Sequence, residues 1–166
     1  VFGASGFLGS HVAEALSSAG YQVRLFDRAP SDFKRNDQEM IVGDIMNLED
    51  VTKAIQGASI VYNFAAIADI DEANEKPLVT AEINILGNMN VLEASRLAGV
   101  SRFIFASSVY VYSESGSFYR ASKQAAERFI ETYQDRYGLD YTILRYGSLY
   151  GRRTDDRNGI YRMLHE

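Results

Sequence analysis

Two residues with complementary acid–base chemistry stand four positions apart in the chain. Tyr119 and Lys123 form a Tyr-x-x-x-Lys pattern, and in a helix this spacing puts both side chains on one face. An ammonium beside a phenol favours the phenolate and would lower the tyrosine pKa from about 10 toward neutral pH. The pattern indicates a tyrosine general acid/base. An exposed helical pair would give the same spacing, in a chain that has 11 tyrosines.

A pair of serine hydroxyls precedes this motif. Ser107 and Ser108 follow a predicted strand over Arg102 to Ala106, so we expect both just past the strand end. A hydroxyl at that place could hydrogen-bond a substrate oxygen and share its proton with Tyr119. Because serines are also common in loops, the two residues alone leave a purely structural alternative open.

A glycine-rich turn lies at the start of the chain. Gly3, Gly6 and Gly9 form a Gly-x-x-Gly-x-x-Gly pattern that leads into a predicted helix over Leu8 to Ala19. Glycines let the backbone turn tightly, and the free N–H groups at a helix start attract a pyrophosphate. The pattern predicts a nucleotide site, although an ordinary glycine turn would look the same.

A carboxylate follows at the place where such a site needs one. Asp27 comes directly after a predicted strand over Tyr21 to Phe26. There it can accept hydrogen bonds from the adenosine ribose, and it would repel a 2′-phosphate, so NAD is favoured over NADP. Arg28 is the counter-argument, since an arginine can accept that phosphate.

A second carboxylate follows the next predicted strand, over Glu39 to Gly43. Asp44 could there reach the adenine amino group of a bound nucleotide. An acid that caps a helix or turn is an equally good alternative at this position.

These motifs are spaced by alternating strand and helix patterns. Predicted strands cover 21–26, 39–43, 60–66, 102–106 and 141–146. Predicted helices cover 8–19, 48–55, 77–98, 118–137 and 160–166, and Asn47 is the predicted cap of the second. The alternation predicts an α/β domain with a doubly wound, mostly parallel sheet, in which residues 1–166 form one unit. Because ligands bind outside the carboxyl ends of parallel strands, the loops that carry these motifs are expected to meet there.

Composition excludes other classes of protein. The 166 residues include no cysteine and two histidines, which argues against a disulfide framework and a metal site. Seventeen basic and 22 acidic residues give a net charge of −5, so a nucleic-acid partner is not expected. No apolar run approaches the ~18 residues of a membrane span and no signal-peptide pattern is present, so we expect a cytoplasmic protein without a membrane partner.

Taken together, the motifs resemble the extended short-chain dehydrogenase/reductases, in particular the NAD-dependent sugar-nucleotide epimerase/dehydratase family. The matching segments are 3–9, 27, 43–44, 63–66, 84–88, 91–94, 107–108, 119–123, 126–127, 144–146 and 150–151. The resemblance implies a Rossmann fold, NAD as cofactor, a nucleotide-sugar substrate and a homodimer. It also implies a C-terminal substrate domain, so we expect a fragment trimmed at both ends that is inactive alone.

The resemblance also implies roles for individual positions. Ser108, three residues before Val111-Tyr112, would be the catalytic serine, Tyr119 the general acid/base, and Lys123 the residue that holds the nicotinamide ribose. Ala65 and Ala66 would line the cofactor channel, with Asn84 near its ribose. The implied cofactor-binding residues are Gly3, Gly6, Phe7, Leu8, Gly9, Asp27, Asp44, Ile45, Ala65, Ala66, Asn84, Tyr119, Lys123 and Tyr146.

One departure from the family pattern bears on the reaction. Family dehydratases carry an Asp-Glu pair directly after the catalytic Ser/Thr, where this chain has Val109 and Tyr110. Neither side chain transfers protons as a carboxylate does near neutral pH, although Glu114 lies in the loop that follows. We therefore expect 4-epimerisation of a UDP-sugar. The alternatives are a reductase or dehydratase on the same scaffold and a catalytically silent NAD-binding domain.

Overall fold

The chain forms a parallel β-sheet, and the structure, a computed structural model, describes residues 1–154 and 159–165. Its strands are β1 (Val23–Asp27), β2 (Gln38–Val42), β3 (Ile60–Asn63), β4 (Arg102–Ser108) and β5 (Tyr141–Tyr146). β1 pairs with β2, β3 pairs with β4, and β4 pairs with β5, all in parallel. Phe2 joins the two groups by bridging Phe26 and Asn63. This order confirms the predicted Rossmann sheet.

Helices fill the connections between the strands. They are α1 (Phe7–Ser18), α2 (Leu48–Ile55), α3 (Ile70–Glu75), α4 (Pro77–Ala81), α5 (Asn88–Leu97), α6 (Ser117–Tyr137) and α7 (Gly159–His165). A π-helical segment, Glu82–Gly87, joins α4 to α5, and a short 3₁₀ helix, Val109–Tyr112, follows β4. Among the described residues, no helix combines the length and the apolar character that a membrane span requires.

The core lies on both faces of the sheet because strand side chains alternate in direction. On one face, Leu25 packs with Ala13 of α1. On the other face, Phe26 packs in a larger cluster that includes Leu92 of α5 and Phe103 of β4, both fully buried. This two-sided burial accounts for the nearly continuous apolar strands of the sequence.

Most predicted elements are present, and two match their predicted bounds. β5 spans the predicted range, and so does α2, which the predicted cap Asn47 begins by accepting hydrogen bonds from the N–H groups of Glu49 and Asp50. The last predicted helix was to run from Ile160 to Glu166. It is present as α7, and residue 166 lies outside the described residues.

The predicted helix over 77–98 needs correction. A helix that was not predicted, α3, precedes it, and Lys76 separates the two with φ −126° and ψ 60°. A residue before proline disfavours the α-helical region, so Pro77 begins a new helix. Within the predicted range, the backbone widens into the π-helical segment, which the apolar spacing did not indicate.

The strand predicted over 102–106 is also longer than expected. β4 continues to Ser108, so both serines belong to the strand rather than to the loop after it. Ser107 pairs with Arg145 of β5, and Ser108 pairs with Tyr146. The two hydroxyls are therefore held by the sheet.

Close packing of the glycine turn determines where α1 begins. A Cβ atom added to Gly9 would lie 2.1 Å from the carbonyl oxygen of Gly3, a distance that no side chain can occupy. Gly3 itself has φ +71°, in the left-handed region that favours glycine. The helix start can approach the turn this closely only because Gly9 has no side chain.

We predict that Gly9→Ala lowers the free energy of unfolding by about 3 kcal/mol, since the added methyl group must displace backbone. Gly57→Ala is the matched control. Gly57 has φ +75° but no atom within 4 Å of an added Cβ, so only the backbone strain of about 1 kcal/mol is expected. Urea denaturation measures both, and equal losses would contradict the packing argument.

Candidate active site

The carboxylate of Asp27 lies against the glycine turn, as the sequence predicts. One carboxylate oxygen accepts a hydrogen bond from the Ser5 N–H (2.9 Å), and the other accepts one from the Arg28 N–H (2.8 Å). The turn and the end of β1 are thus fixed relative to each other. The end of a strand beside a glycine turn is where a dinucleotide site carries the carboxylate that binds the ribose, and this role of Asp27 stays a prediction.

The start of α1 fits the pyrophosphate of a dinucleotide. Its N-cap is Gly6, which has no side chain to satisfy the first N–H groups of the helix. Those N–H groups belong to Phe7, Leu8 and Gly9, the residues that the sequence assigned to cofactor binding. A helix of 12 residues with an uncapped start presents donors and a positive dipole end to an anion.

The chain after β3 comes close to the same turn. A Cβ added to Gly3 would lie 2.6 Å from the backbone nitrogen of Ala65, so Ala65 borders the glycine turn, and Ala66 follows it in the chain. Both are half-buried. Their predicted place along a cofactor channel stays a prediction.

The acid after β2 makes the turn contacts that its structural alternative describes. Asp44 accepts a hydrogen bond from the Met46 N–H (2.9 Å) and is itself exposed. The neighbouring Ile45 side chain is buried in the core against Gly87. The proposed contact of Asp44 with adenine stays a prediction, and the side chain of Ile45 serves packing.

The structure brings the three predicted catalytic residues together at the carboxyl end of β4. Ser108 ends that strand, and Tyr119 and Lys123 lie on the first turns of α6. All three are buried, at 6%, 9% and 3% exposure. The Lys123 ammonium donates a hydrogen bond to the Ala106 carbonyl oxygen (2.8 Å) and lies 4.8 Å from the centre of the Phe105 ring.

The acid–base properties of this group differ from the sequence-based expectation. Burial raises the pKa of Tyr119, and a hydrogen bond with Ser108 acts against this increase. Lys123 does not lower the Tyr119 pKa as expected, because its ammonium binds the Ala106 carbonyl and stands 5.7 Å from the centre of the phenol ring. Burial also lowers the pKa of Lys123 to about 8, and the nearby charge of Glu127 opposes this decrease.

Asn84 connects three elements beside the site. Its amide oxygen accepts a hydrogen bond from the Ile67 N–H (2.8 Å), and its amide nitrogen donates to the Ile67 carbonyl (3.0 Å) and to the Ser122 hydroxyl (2.9 Å). Ser122 in turn donates to the Tyr119 carbonyl (2.8 Å). Both amide N–H groups are therefore used within the protein, and the predicted proximity of Asn84 to the cofactor ribose stays a prediction.

The sequence motifs contained one functional candidate, Glu127, to which no role was assigned. Glu127 is buried at 6% exposure and accepts hydrogen bonds from Ser107 (2.5 Å) and from the Arg145 Nε and Nη2 atoms (3.0 and 2.8 Å). The signal was the spacing, since Glu127 follows Lys123 by four residues and so lies on the same helix face. Tyr146, the last predicted residue, pairs beside Ser108 and is half-buried.

The described residues contain no group of three or more His, Asp or Glu side chains that could hold a metal ion. The candidate site comprises a buried serine, tyrosine and lysine at the carboxyl end of β4 and an uncapped, glycine-lined helix start. A family model described as the NAD dependent epimerase/dehydratase family matches residues 1–165. The chain belongs to this family. The NAD dependence of the family confirms the predicted cofactor and the predicted family.

Two solved structures illustrate the similarity. The UDP-glucose 4-epimerase of Thermotoga maritima, solved with UDP-glucose, is 28% identical, with a TM-score of 0.91 over 98% of this chain and 60% of its own. The UDP-glucose 4-epimerase of Thermus thermophilus, solved with NAD, is 30% identical, with a TM-score of 0.89 over 97% of this chain and 59% of its own.

A curated relative shows the breadth of the family. The 3-beta-hydroxysteroid dehydrogenase of Mycolicibacterium neoaurum is 29% identical over 92% of this chain and 47% of its own length. The chain thus spans about half to three fifths of the length of the curated relatives and solved structures that it matches.

We predict that the protein binds NAD at least about tenfold more tightly than NADP, a difference of about 1.4 kcal/mol. Asp27→Ala should narrow this difference, because the charge that repels a 2′-phosphate is lost. Adding Arg28→Ala to that variant should restore part of the preference if the guanidinium accepts the phosphate. Isothermal titration of both cofactors tests the series, and equal affinities in the unmutated protein would contradict the role of Asp27.

Proposed function

We propose that the whole protein is an NAD-dependent sugar-nucleotide epimerase, most specifically a UDP-sugar 4-epimerase that oxidises a sugar carbon transiently. The observation that carries the proposal is the buried group of Ser108, Tyr119 and Lys123 with no carboxylate in the two positions after the serine. Such a group can take a proton from an alcohol and return it. It lacks a second acid or base for elimination.

In the proposed reaction, bound NAD supplies the hydride acceptor. Tyr119 removes the proton from the sugar hydroxyl as the carbon is oxidised. It returns the proton after the ketone has rotated to present its opposite face. Ser108 donates a hydrogen bond to the reacting oxygen and keeps it within reach of the phenol. Lys123 would hold the cofactor ribose, and the positive charge of the oxidised nicotinamide would favour the Tyr119 phenolate that burial disfavours.

The residues that follow Ser108 favour epimerisation over dehydration. Tyr110 packs edge-on against Tyr119, with ring centres 6.4 Å apart and planes at 81°. An aromatic ring therefore stands beside the phenol at a position where a family dehydratase carries a carboxylate. Because this ring cannot exchange protons with a sugar carbon, water elimination has no partner at that position.

The loop acid Glu114 is the one carboxylate in the adjoining loop, and its neighbours are anchored. Arg120 donates a hydrogen bond to the Ser113 carbonyl (2.6 Å), and the Ser115 N–H donates to the Ser113 hydroxyl (3.0 Å). Glu114 itself is exposed. This anchoring works against an inward movement of Glu114 and further supports an epimerase.

A dehydrogenase acting on an apolar cyclic alcohol is the second candidate. Tyr119 belongs to an apolar cluster with Ile67, Ile70 and Tyr110, and the Mycolicibacterium neoaurum relative is named as a steroid dehydrogenase. Such an enzyme would release the oxidised product and accumulate NADH. An epimerase would return the hydride and leave the cofactor oxidised.

We also propose a homodimer whose interface is formed by the exposed faces of α4, the π-helical segment and α6. Large apolar side chains are exposed there, namely Leu78, Val79, Leu86, Phe118 and Phe129. Exposed apolar patches of this kind mark interaction surfaces. Burying them against a second copy removes apolar area from water on both partners.

The reaction class is tested with the full-length protein, UDP-, dTDP-, GDP- and CDP-sugars, and mass spectrometry of the products. We expect a product of unchanged mass and inverted configuration from a UDP-sugar. A product lighter by one water would show a dehydratase. An oxidised product together with stoichiometric NADH would show a dehydrogenase.

Tyr119→Phe should remove most of the turnover, by at least about a hundredfold, because the proton carrier is lost. NAD should still bind, since the ring and its packing remain. Val109→Ala, at an exposed position in the same segment, is the control and should stay active. A Tyr119→Phe enzyme with a near-normal rate would place the acid/base at another residue.

A further inference from the structure

A buried carboxylate lies one helical turn beyond the site lysine. Glu127 follows Lys123 by four residues on α6, and both side chains are buried, at 6% and 3% exposure. Its two oxygens accept hydrogen bonds from the Ser107 hydroxyl and from two nitrogen atoms of Arg145. Glu127 thus touches the residue before Ser108 and the residue before Tyr146, on two neighbouring strands.

The Glu127–Arg145 ion pair is held in place by further contacts. Arg145 is itself positioned by Tyr112, whose ring lies 4.8 Å from the guanidinium carbon and whose hydroxyl accepts a hydrogen bond from it. Burial acts to raise the pKa of Glu127, but the hydrogen bonds from Arg145 and Ser107 outweigh it and hold the pKa below its usual value. The carboxylate therefore remains charged inside the domain at neutral pH.

We propose that Glu127, one helical turn beyond Lys123 and paired with Arg145, is a positioning residue that compensates the charge of the buried lysine and holds the ends of β4 and β5 in register for Ser108. The effect of Glu127 on catalysis rests on the proposed function. Its effect on the charge of Lys123 does not depend on that function. Glu127 touches neither the reacting oxygen nor Tyr119 in this arrangement, so it acts through Lys123 and Ser107.

Among the charged groups around Lys123, Glu127 is the one whose negative charge compensates the ammonium. On α6, the groups near the ammonium are Tyr119 and Glu127, and Glu127 is the charge that acts on it. From β5, Arg145 reaches this face through its pair with Glu127. From α5, Glu93 pairs with Arg96 and contacts Tyr133, more than two helical turns farther along α6. From β4, the contacts are the neutral Ala106 carbonyl and the Phe105 ring.

This arrangement gives the two ends of the ion pair opposite effects on Lys123. The charge of Glu127 opposes the decrease that burial causes in the Lys123 pKa. Removing this charge should therefore lower the Lys123 pKa below its value of about 8. Removing Arg145 leaves the carboxylate without its neutralising partner, so the Lys123 pKa should rise. A purely structural ion pair would produce the same disturbance whichever partner is removed.

The test compares Glu127→Gln and Arg145→Met in the full-length protein. The first readout is the pH titration of the Lys123 ¹³Cε signal without cofactor, assigned by its loss in Lys123→Arg. The second readout is the NAD dissociation constant at pH 6 to 9. We expect the Glu127→Gln midpoint to fall by at least one pH unit, so that NAD affinity at pH 8 drops at least about fivefold relative to the unmutated protein. The Arg145→Met midpoint should rise.

Controls keep the outcome interpretable. Glu131→Gln breaks the exposed Arg128–Glu131 pair one turn farther along α6 and should leave the lysine midpoint unchanged. Glu127→Asp keeps the charge and should restore most of the midpoint. Shifts of the same sign in Glu127→Gln and Arg145→Met, or no shift in either, would overturn the proposal. Failure of the unmutated protein to bind NAD would overturn the proposed function instead, because the lysine titration needs no cofactor.

Discussion

Burying a lysine ammonium between β4 and α6 is the constraint on which the rest of the site depends. A cation in a protein interior is strongly disfavoured unless charge and hydrogen bonds compensate it. Lys123 receives that compensation from the Ala106 carbonyl, the Phe105 ring and the charge of Glu127. These partners come from one strand and one helix, so β4 and α6 must keep a fixed relation for the lysine to stay where it is.

The parallel sheet converts that local requirement into a site. β3, β4 and β5 all run in one direction, so their carboxyl ends, with Ser108 and Tyr146, meet at one edge. Phe2 lies between β1 and β3, which brings the glycine turn and Asp27 to that same edge. The nucleotide-binding end and the acid–base end are therefore neighbours because of strand order, although more than a hundred residues separate Gly3 from Lys123.

Much of this could be predicted from the sequence, where a feature depends on local chemistry. Residue type and spacing alone identify the glycine turn, the strand-end acid Asp27 and the Tyr119–Lys123 pair. The π-helical segment could not be predicted, because the apolar spacing carries no mark of it and the three hydrogen bonds of its Asn84 go to Ile67 and Ser122, which are distant in the sequence. The predicted decrease of the Tyr119 pKa was wrong for a similar reason. Burial depends on what packs around the phenol and not on helical spacing.

In the proposed reaction, this site oxidises a sugar carbon and then returns the same hydride to it. The most direct measurement uses a UDP-hexose deuterated at C4, the full-length protein and mass and NMR analysis of the product. For an epimerase we expect a C4 epimer that retains its deuterium at C4. Migration of the deuterium to another carbon with loss of water would show a dehydratase instead, and its transfer to an accumulated reduced cofactor would show a dehydrogenase.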